Sequence, residues 1–170
     1  SFEALINNWT TTYLIDRYSL MQSRALFALS GFVAGMSVMR LLLGSVFSSS
    51  KPRNILISCF ALTLTALIVI NVSHTFIAAI AGLFILGAGL AAGFPVMLGL
   101  VGNRYTELSG TAFSYVFTIA LLGNMLVNYM MGNIAKAYGI SNLTTVAFIE
   151  LGMLIVLSTL IFIKSDRNNK

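Results

Sequence analysis

From Phe2 to Ile163 the chain is a succession of apolar runs separated by short polar connections. The runs are Phe2–Leu14, Ala25–Phe47, Asn54–Val72, Phe76–Gly102, Leu108–Asn133 and Leu143–Ile163. A helix needs about 20 mostly apolar residues to cross the hydrocarbon core of a bilayer. In lipid, each backbone N–H and C=O must find its partner inside the protein, which a helix does within its own segment. Every run but the first reaches that length. We expect the chain to begin inside the first helix and to belong to a longer protein. The expected fold is all-α and membrane-embedded, with six transmembrane helices, the first truncated. The connections are short and no linker divides the chain, so residues 1–170 form one bundle of antiparallel neighbours.

Charge sets the environment. Only 9% of residues are charged and 58% are hydrophobic, whereas a soluble domain carries about 25% charged residues. In water such a chain would expose large apolar patches, so its partner is a lipid bilayer. The net charge of +5 does not point to nucleic acid, because the basic residues are scattered between apolar runs and form no patch. They fit the ends of membrane spans. With the tail after Ile163 in the cytoplasm, Arg40, Lys51, Arg53, Arg104, Lys164, Arg167 and Lys170 lie inside, and Arg17, Arg24 and Lys136 outside. That excess favours a cytoplasmic C-terminus. Asn71 and Asn142, each in an N-x-S/T pattern, then fall in outer loops. The lone cysteine, Cys59, reads as a small buried hydrophobe in mid-span.

The run Phe76–Gly102 holds "GLAAGFPVMLGL", with helix breakers in one of the most apolar stretches. Small residues four apart, Gly89 with Gly93 and Ala88 with Ala92, let helices approach closely where no hydrophobic force presses them together. Pro95 removes a backbone donor and frees a carbonyl that needs a partner in protein or water. A Gly/Pro-interrupted span is a pointer to a transporter's moving, substrate-facing helix. A kinked helix that only packs also fits this segment.

Polar residues recur on two helix faces. In "FEALINNWTTTYLIDRY", Glu3, Asn7, Thr11 and Asn8 fall on one broad arc, while Phe2, Ile6, Trp9 and Tyr13 gather on another. Amides beside an aromatic ring suit a polyhydroxylated ligand. Trp9 lies deep enough for a cavity, whereas Tyr13 and Tyr18 read as an interfacial aromatic belt. In the run Leu108–Asn133, Ser114, Thr118, Leu121, Asn124 and Asn128 share a face. Asn124 and Asn128, one turn apart, can bond neighbouring helices together or reach into a cavity. Glu150, inside the last run, is open to three readings: a proton site, a buried pair with a basic residue, or a side chain near the outer boundary. His74 is the only histidine and reads as a solvated loop residue. There is no metal-spaced His/Cys set, no G-x-S-x-G and no P-loop, so we expect no enzyme, no metal and no cofactor.

"GFVAGMSVMRLLLGSVFSSSKPRN" is similar to the second inner-loop motif of the Major Facilitator Superfamily, through Gly35, Arg40, Gly44, Lys51 and Arg53. The acidic member of that motif is missing. "GAGLAAGFPVMLGL" and the run after it resemble helices ten and eleven of the superfamily, and "WTTTYL" its seventh. The branch most similar is the sugar:proton symporters related to fucose permease, in which an aromatic-Pro pair, here Phe94-Pro95, follows a glycine-rich half-helix. The resemblance implies helices seven to twelve of a twelve-helix fold, with the N-terminal half of the same transporter as partner. It implies alternating access about a midplane site. The first, second, fourth and fifth runs would line the cavity, and the third and sixth would pack outside.

The expected function is therefore part of a secondary active transporter in a bacterial inner membrane, moving a small polar solute, a sugar, with protons. The candidate substrate contacts are Asn7, Asn8, Trp9, Asn124, Asn128, Ser114 and Phe94. Glu3 is the local coupling candidate. Gly89, Gly93, Pro95, Arg40 and Gly44 are the gating and packing candidates. Two alternatives remain: a carrier of drugs or other metabolites in the same superfamily, and a complete six-helix scaffold or channel subunit. Six further spans upstream would separate the first two readings from the third.

Overall fold

The computed structural model describes residues 1–45 and 51–168, so residues 46–50 of the basic connection and residues 169–170, Lys170 among them, lie outside the described residues. All regular structure within them is helical. The order is α1 Phe2–Tyr18, α2 Gln22–Ser45, α3 Pro52–Val72, α4 Phe76–Leu90, α5 Gly93–Arg104, α6 Ser109–Tyr138, a 3-10 turn Ile140–Asn142, and α7 Leu143–Asn168. With α4 and α5 taken as one broken span, five helices are long and apolar enough to cross a membrane, and α1 adds 17 residues alongside them.

The helix ends follow from local chemistry. Pro52 opens α3, where its missing N–H would have had no partner in any case. Thr75 caps α4 by accepting from the Ala78 N–H at 3.4 Å. The span Phe76–Gly102 divides at Ala91–Ala92, and Pro95 falls in the first turn of α5. The first turn of a helix has orphan donors whatever its sequence, so breaking the span there lets Pro95 be accommodated without removing a ladder bond. The Val96 N–H then reaches the Ala92 carbonyl at 3.0 Å.

Packing is concentrated around α4, which lies between α2 and α3 and buries Ala79, Leu83, Leu86 and Gly87. The α2–α4 crossing is a backbone-to-backbone contact. A Cβ on Gly35 would stand 2.0 Å from the Phe84 carbonyl oxygen, and one on Gly87 would stand 2.0 Å from that of Phe32. Each helix thus presents a phenylalanine backbone to the other's glycine, three residues apart on both. Gly89 plays a similar part toward α3, where an added Cβ would meet Thr63 Oγ1 at 2.4 Å. Between lipid-embedded helices, close van der Waals contact of this kind supplies the association.

Other small residues behave differently from the sequence expectation. Gly93 and Gly44 have nothing within 4 Å of an added Cβ. The packing partner of Gly89 in this bundle is therefore α3 alone, and the Gly89–Gly93 pair does not form one contact strip. Gly93 instead lines, with Gly89, a small cavity bounded by Cys59 of α3 and Leu154 of α7. The fourth run also divides in its surroundings: α4 is packed on α2 and α3, whereas α5 has no buried residue and α6 only Met131. The broad sides of α5 and α6 have few neighbours within this chain.

Tyr13 corrects the belt assignment. It is buried, at 2% exposure, and its hydroxyl accepts from Arg17 at 2.7 Å. Arg17 also donates to the carbonyls of Asn71 at 2.7 Å and Ser73 at 3.2 Å, at the C-terminal end of α3. A cation there satisfies helix carbonyls that lack partners and complements the helix dipole. Tyr18, bonded to Ser73 through its hydroxyl, completes a clamp that ties the end of α1 to the α3–α4 turn. Thr144 donates to the Asn71 side chain at 3.3 Å, which brings Asn71 to the same end of the bundle as Asn142.

Candidate substrate-facing site

Helices α1 and α6 run side by side, and their polar faces meet. Gly132 on α6 faces the Trp9 ring, whose nearest carbon is 3.6 Å from the position of an added Cβ, an ordinary contact distance. With the ring seated there, Trp9 Nε1 donates to Asn128 Oδ1 at 3.0 Å. Asn8 Nδ2 donates to the same oxygen, also at 3.0 Å. Asn128 Nδ2 in turn donates to the Asn124 backbone carbonyl at 2.9 Å and to its Oδ1 at 2.6 Å. Four residues named from sequence, on two helices, thus form one hydrogen-bonded chain. Asn8 is exposed, and Trp9, Asn124 and Asn128 are half-buried. The chain of amides carries no formal charge and stays open on the side that α1 and α6 leave uncovered.

Three other sequence candidates lie outside it. Asn7 Nδ2 turns back to the Glu3 carbonyl on its own helix at 3.1 Å. Ser114 donates to the Thr111 carbonyl at 2.8 Å and sits ten residues, roughly 15 Å, along α6 from Asn124. Phe94 stacks at a tilt on Phe117, with ring centroids 5.7 Å apart, which joins α5 to α6 and leaves both rings partly exposed. The helical periodicity that placed Ser114 and Asn128 on one face carries no information about distance along the axis.

An ion pair joins α1 to α2 near this chain. Arg40 Nη2 of α2 lies 3.2 Å from Glu3 Oε2 of α1, with side chains 43% and 40% exposed. Arg40 therefore has a carboxylate partner on a neighbouring helix, although its own loop motif lacks an acidic residue. Arg40, Gly44 and Pro95 line one open cleft of about 470 Å³ between α2, α3 and α5, together with Pro52, Gly99 and Asn103. The gating candidates at these three positions thus face a common space, while Gly89 lies in a separate packed contact with Thr63.

Glu150 is buried at 8% exposure in α7. The Ser1 hydroxyl donates to Oε1, and Oε2 is buried without a partner among the described residues. The reading of Glu150 as half of a buried ion pair with a basic residue finds no such partner among the described residues.

Sequence reasoning missed Gly87, Gly132 and Arg17. Gly87 sits within "GAG", a signal of close approach that the more conspicuous Pro95 obscured. Gly132 matters only because Trp9 lies opposite, and nothing local announces that. Arg17 read as one more basic loop residue until its carbonyl partners on α3 were seen.

The family model described as Major Facilitator Superfamily matches residues 4–170. No curated protein and no solved structure matches the chain.

Proposed function

The chain belongs to the Major Facilitator Superfamily, a family of membrane transporters, and from that premise we propose that it is the C-terminal half of a carrier for a small neutral sugar, driven by protons. The observation that carries this reading is the α1–α6 amide chain, Asn8, Asn128 and Asn124 with Trp9. It offers hydrogen-bonding groups of both senses, an aromatic ring alongside, and no net charge. Such a surface matches hydroxyls and C–H faces better than it matches an anion or a cation, whose desolvation would go unrepaid. Asn7, Ser114 and Phe94 extend the proposed surface along α1 and α5–α6.

In this reading α1 to α7 are the seventh to twelfth family helices, with α4 and α5 together forming the tenth. The open sides of α1, α5 and α6 face the N-terminal half across a midplane chamber, and rocking of the halves exposes it to either side. The excess of basic residues at the end that carries Arg40, Lys51, Arg53 and Arg104 supports a cytoplasmic setting for that end and for the C-terminus. The membrane would be a bacterial inner membrane. Glu3 is the local proton-coupling group, and separation of α1 from α2 would release it from Arg40, linking its availability to conformation.

The test is uptake by the full-length transporter of a panel of labelled neutral sugars, with and without an uncoupler. Accumulation of a sugar that collapses with the uncoupler supports the reading. Accumulation that persists rejects proton coupling, and transport confined to charged solutes or hydrophobic drugs rejects the sugar assignment.

A further inference from the structure

One donor in the amide chain has no alternative. An asparagine side chain can present its oxygen or its nitrogen to a neighbour, but an indole N–H only donates. Trp9 Nε1 lies 3.0 Å from the Asn128 side chain, so the facing atom must be Oδ1. The second lone pair of that oxygen receives Asn8, which must therefore offer Nδ2. With its oxygen committed, Asn128 turns Nδ2 toward the preceding turn of α6, where Asn124 must answer with oxygen. One indole fixes the orientation of three amides on two helices.

The consequence is a division of labour. Both polar atoms of the Asn128 side chain are engaged, which leaves it little to offer a ligand. Asn8 is left with Oδ1 outward and Asn124 with Nδ2, and among the described residues neither atom has a partner. Asn8 is exposed and Asn124 half-exposed, so both atoms are reachable. The site therefore offers one acceptor from α1 and one donor from α6, at the two ends of the amide chain. A hydroxyl can answer either. An ammonium answers only Asn8 and a carboxylate only Asn124, and neither charge is neutralised by the uncharged amide chain itself.

We propose that Trp9 and Asn128 form a positioning unit that sets the donor–acceptor polarity of the site, so that Asn8 as acceptor and Asn124 as donor select a neutral, hydroxyl-bearing ligand. This rests on the α1–α6 chain being the substrate surface, as proposed above. It changes the part played by Trp9: the N–H matters as well as the ring.

The experiment uses the full-length transporter in proteoliposomes, with labelled neutral hexoses, pentoses and polyols as probes. Trp9→Phe keeps a ring and removes the N–H, while Asn128→Leu removes the amide at similar volume. Asn128→Ser replaces Asn128→Leu should the latter fail to insert. Each single variant is expected to raise KM roughly three- to tenfold with little change in kcat, the scale of one lost neutral hydrogen bond. The double variant is expected to be no worse than the worse single one, because both break the same unit. An ultraviolet resonance Raman difference spectrum, wild type minus Trp9→Phe, isolates this indole. It is expected to show a bonded N–H that becomes unbonded in the Asn128 variant. Additive losses, an unchanged indole signal, or single variants with wild-type KM overturn the positioning unit. In that case losses in Asn8→Ala and Asn124→Ala would leave the substrate surface itself standing. Wild-type uptake in those two variants as well, with normal insertion, removes the surface. Transport of amino acids or organic acids, with none of the neutral probes carried, overturns the ligand class.

Discussion

Substituting Gly87 by Ala tests the backbone crossing that organises the bundle. The added Cβ would stand 2.0 Å from the Phe32 carbonyl oxygen and 2.9 Å from the Met36 nitrogen. Both are backbone atoms of α2, so no rotamer change relieves the overlap. The helices must part by roughly 1 Å or more to restore ordinary contact, and a gap of that size forfeits about a quarter to a half of each dispersion contact along the seam. Overpacking typically costs about 1–3 kcal/mol, and two backbone clashes put this site at the upper end. Ala gains up to about 1 kcal/mol over Gly in helix propensity, which leaves a net loss of about 2 kcal/mol. The assay is the thermal unfolding midpoint of the full-length protein in detergent, followed by size-exclusion fluorescence of a tagged form. A fall of roughly 4–8 °C is expected. Gly152→Ala is the internal control: an added Cβ there meets nothing within 4 Å, so its midpoint should stay level or rise. Equal midpoints for the two variants would show that α2 and α4 do not meet through these backbones.

Three further outcomes follow from the geometry. Arg17→Gln should lower stability by about 1–2 kcal/mol, since charge-assisted bonds to the Asn71 and Ser73 carbonyls are lost at an exposed side chain, and should speed amide hydrogen exchange in the α3–α4 turn at Ser73; unchanged exchange would mean that the clamp does not hold that turn. Glu3→Gln should leave the unfolding midpoint within about 1 kcal/mol of wild type, because the pair with Arg40 is exposed, while abolishing accumulation against a gradient; retained accumulation would remove Glu3 from coupling. Glu150→Met should be neutral or stabilising, because it removes the buried, unpartnered Oε2 and loses only the Ser1 hydroxyl bond to Oε1; a loss of more than about 2 kcal/mol in the same melting assay would mean that Glu150 contributes more than that one bond.

The candidate site was half legible. The amides on the first and fifth runs were visible because an uncharged polar residue in a membrane span is conspicuous against its apolar surroundings, and Asn8, Trp9, Asn124 and Asn128 were all named on that ground. Their assembly into one chain was not visible. Asn7 sits beside Asn8 in sequence yet bonds its own helix, since neighbouring residues on a helix point about 100° apart. Ser114 shares a face with Asn128 but lies turns away. Tyr13 looked like a belt residue and is instead core, because an aromatic ring near a helix end suits either setting and only the neighbouring helix decides.

What the sequence determined by itself is the environment and the class of fold. The length of an apolar run against the thickness of a bilayer is a one-dimensional comparison, and the demand that backbone groups be satisfied in lipid leaves helices as the answer. Proline and glycine also marked, locally, where the fourth run had to break. Which glycines touch was decided only by the tertiary structure: Gly35 and Gly87 meet opposing backbones while Gly93 and Gly44 face open space, although all four read alike in the chain. Contacts between helices depend on crossing point, rotation and axial register at once, and those quantities belong to pairs of helices rather than to either sequence segment. The same holds for Glu3 and Arg40, 37 residues apart in the chain and 3.2 Å apart in space.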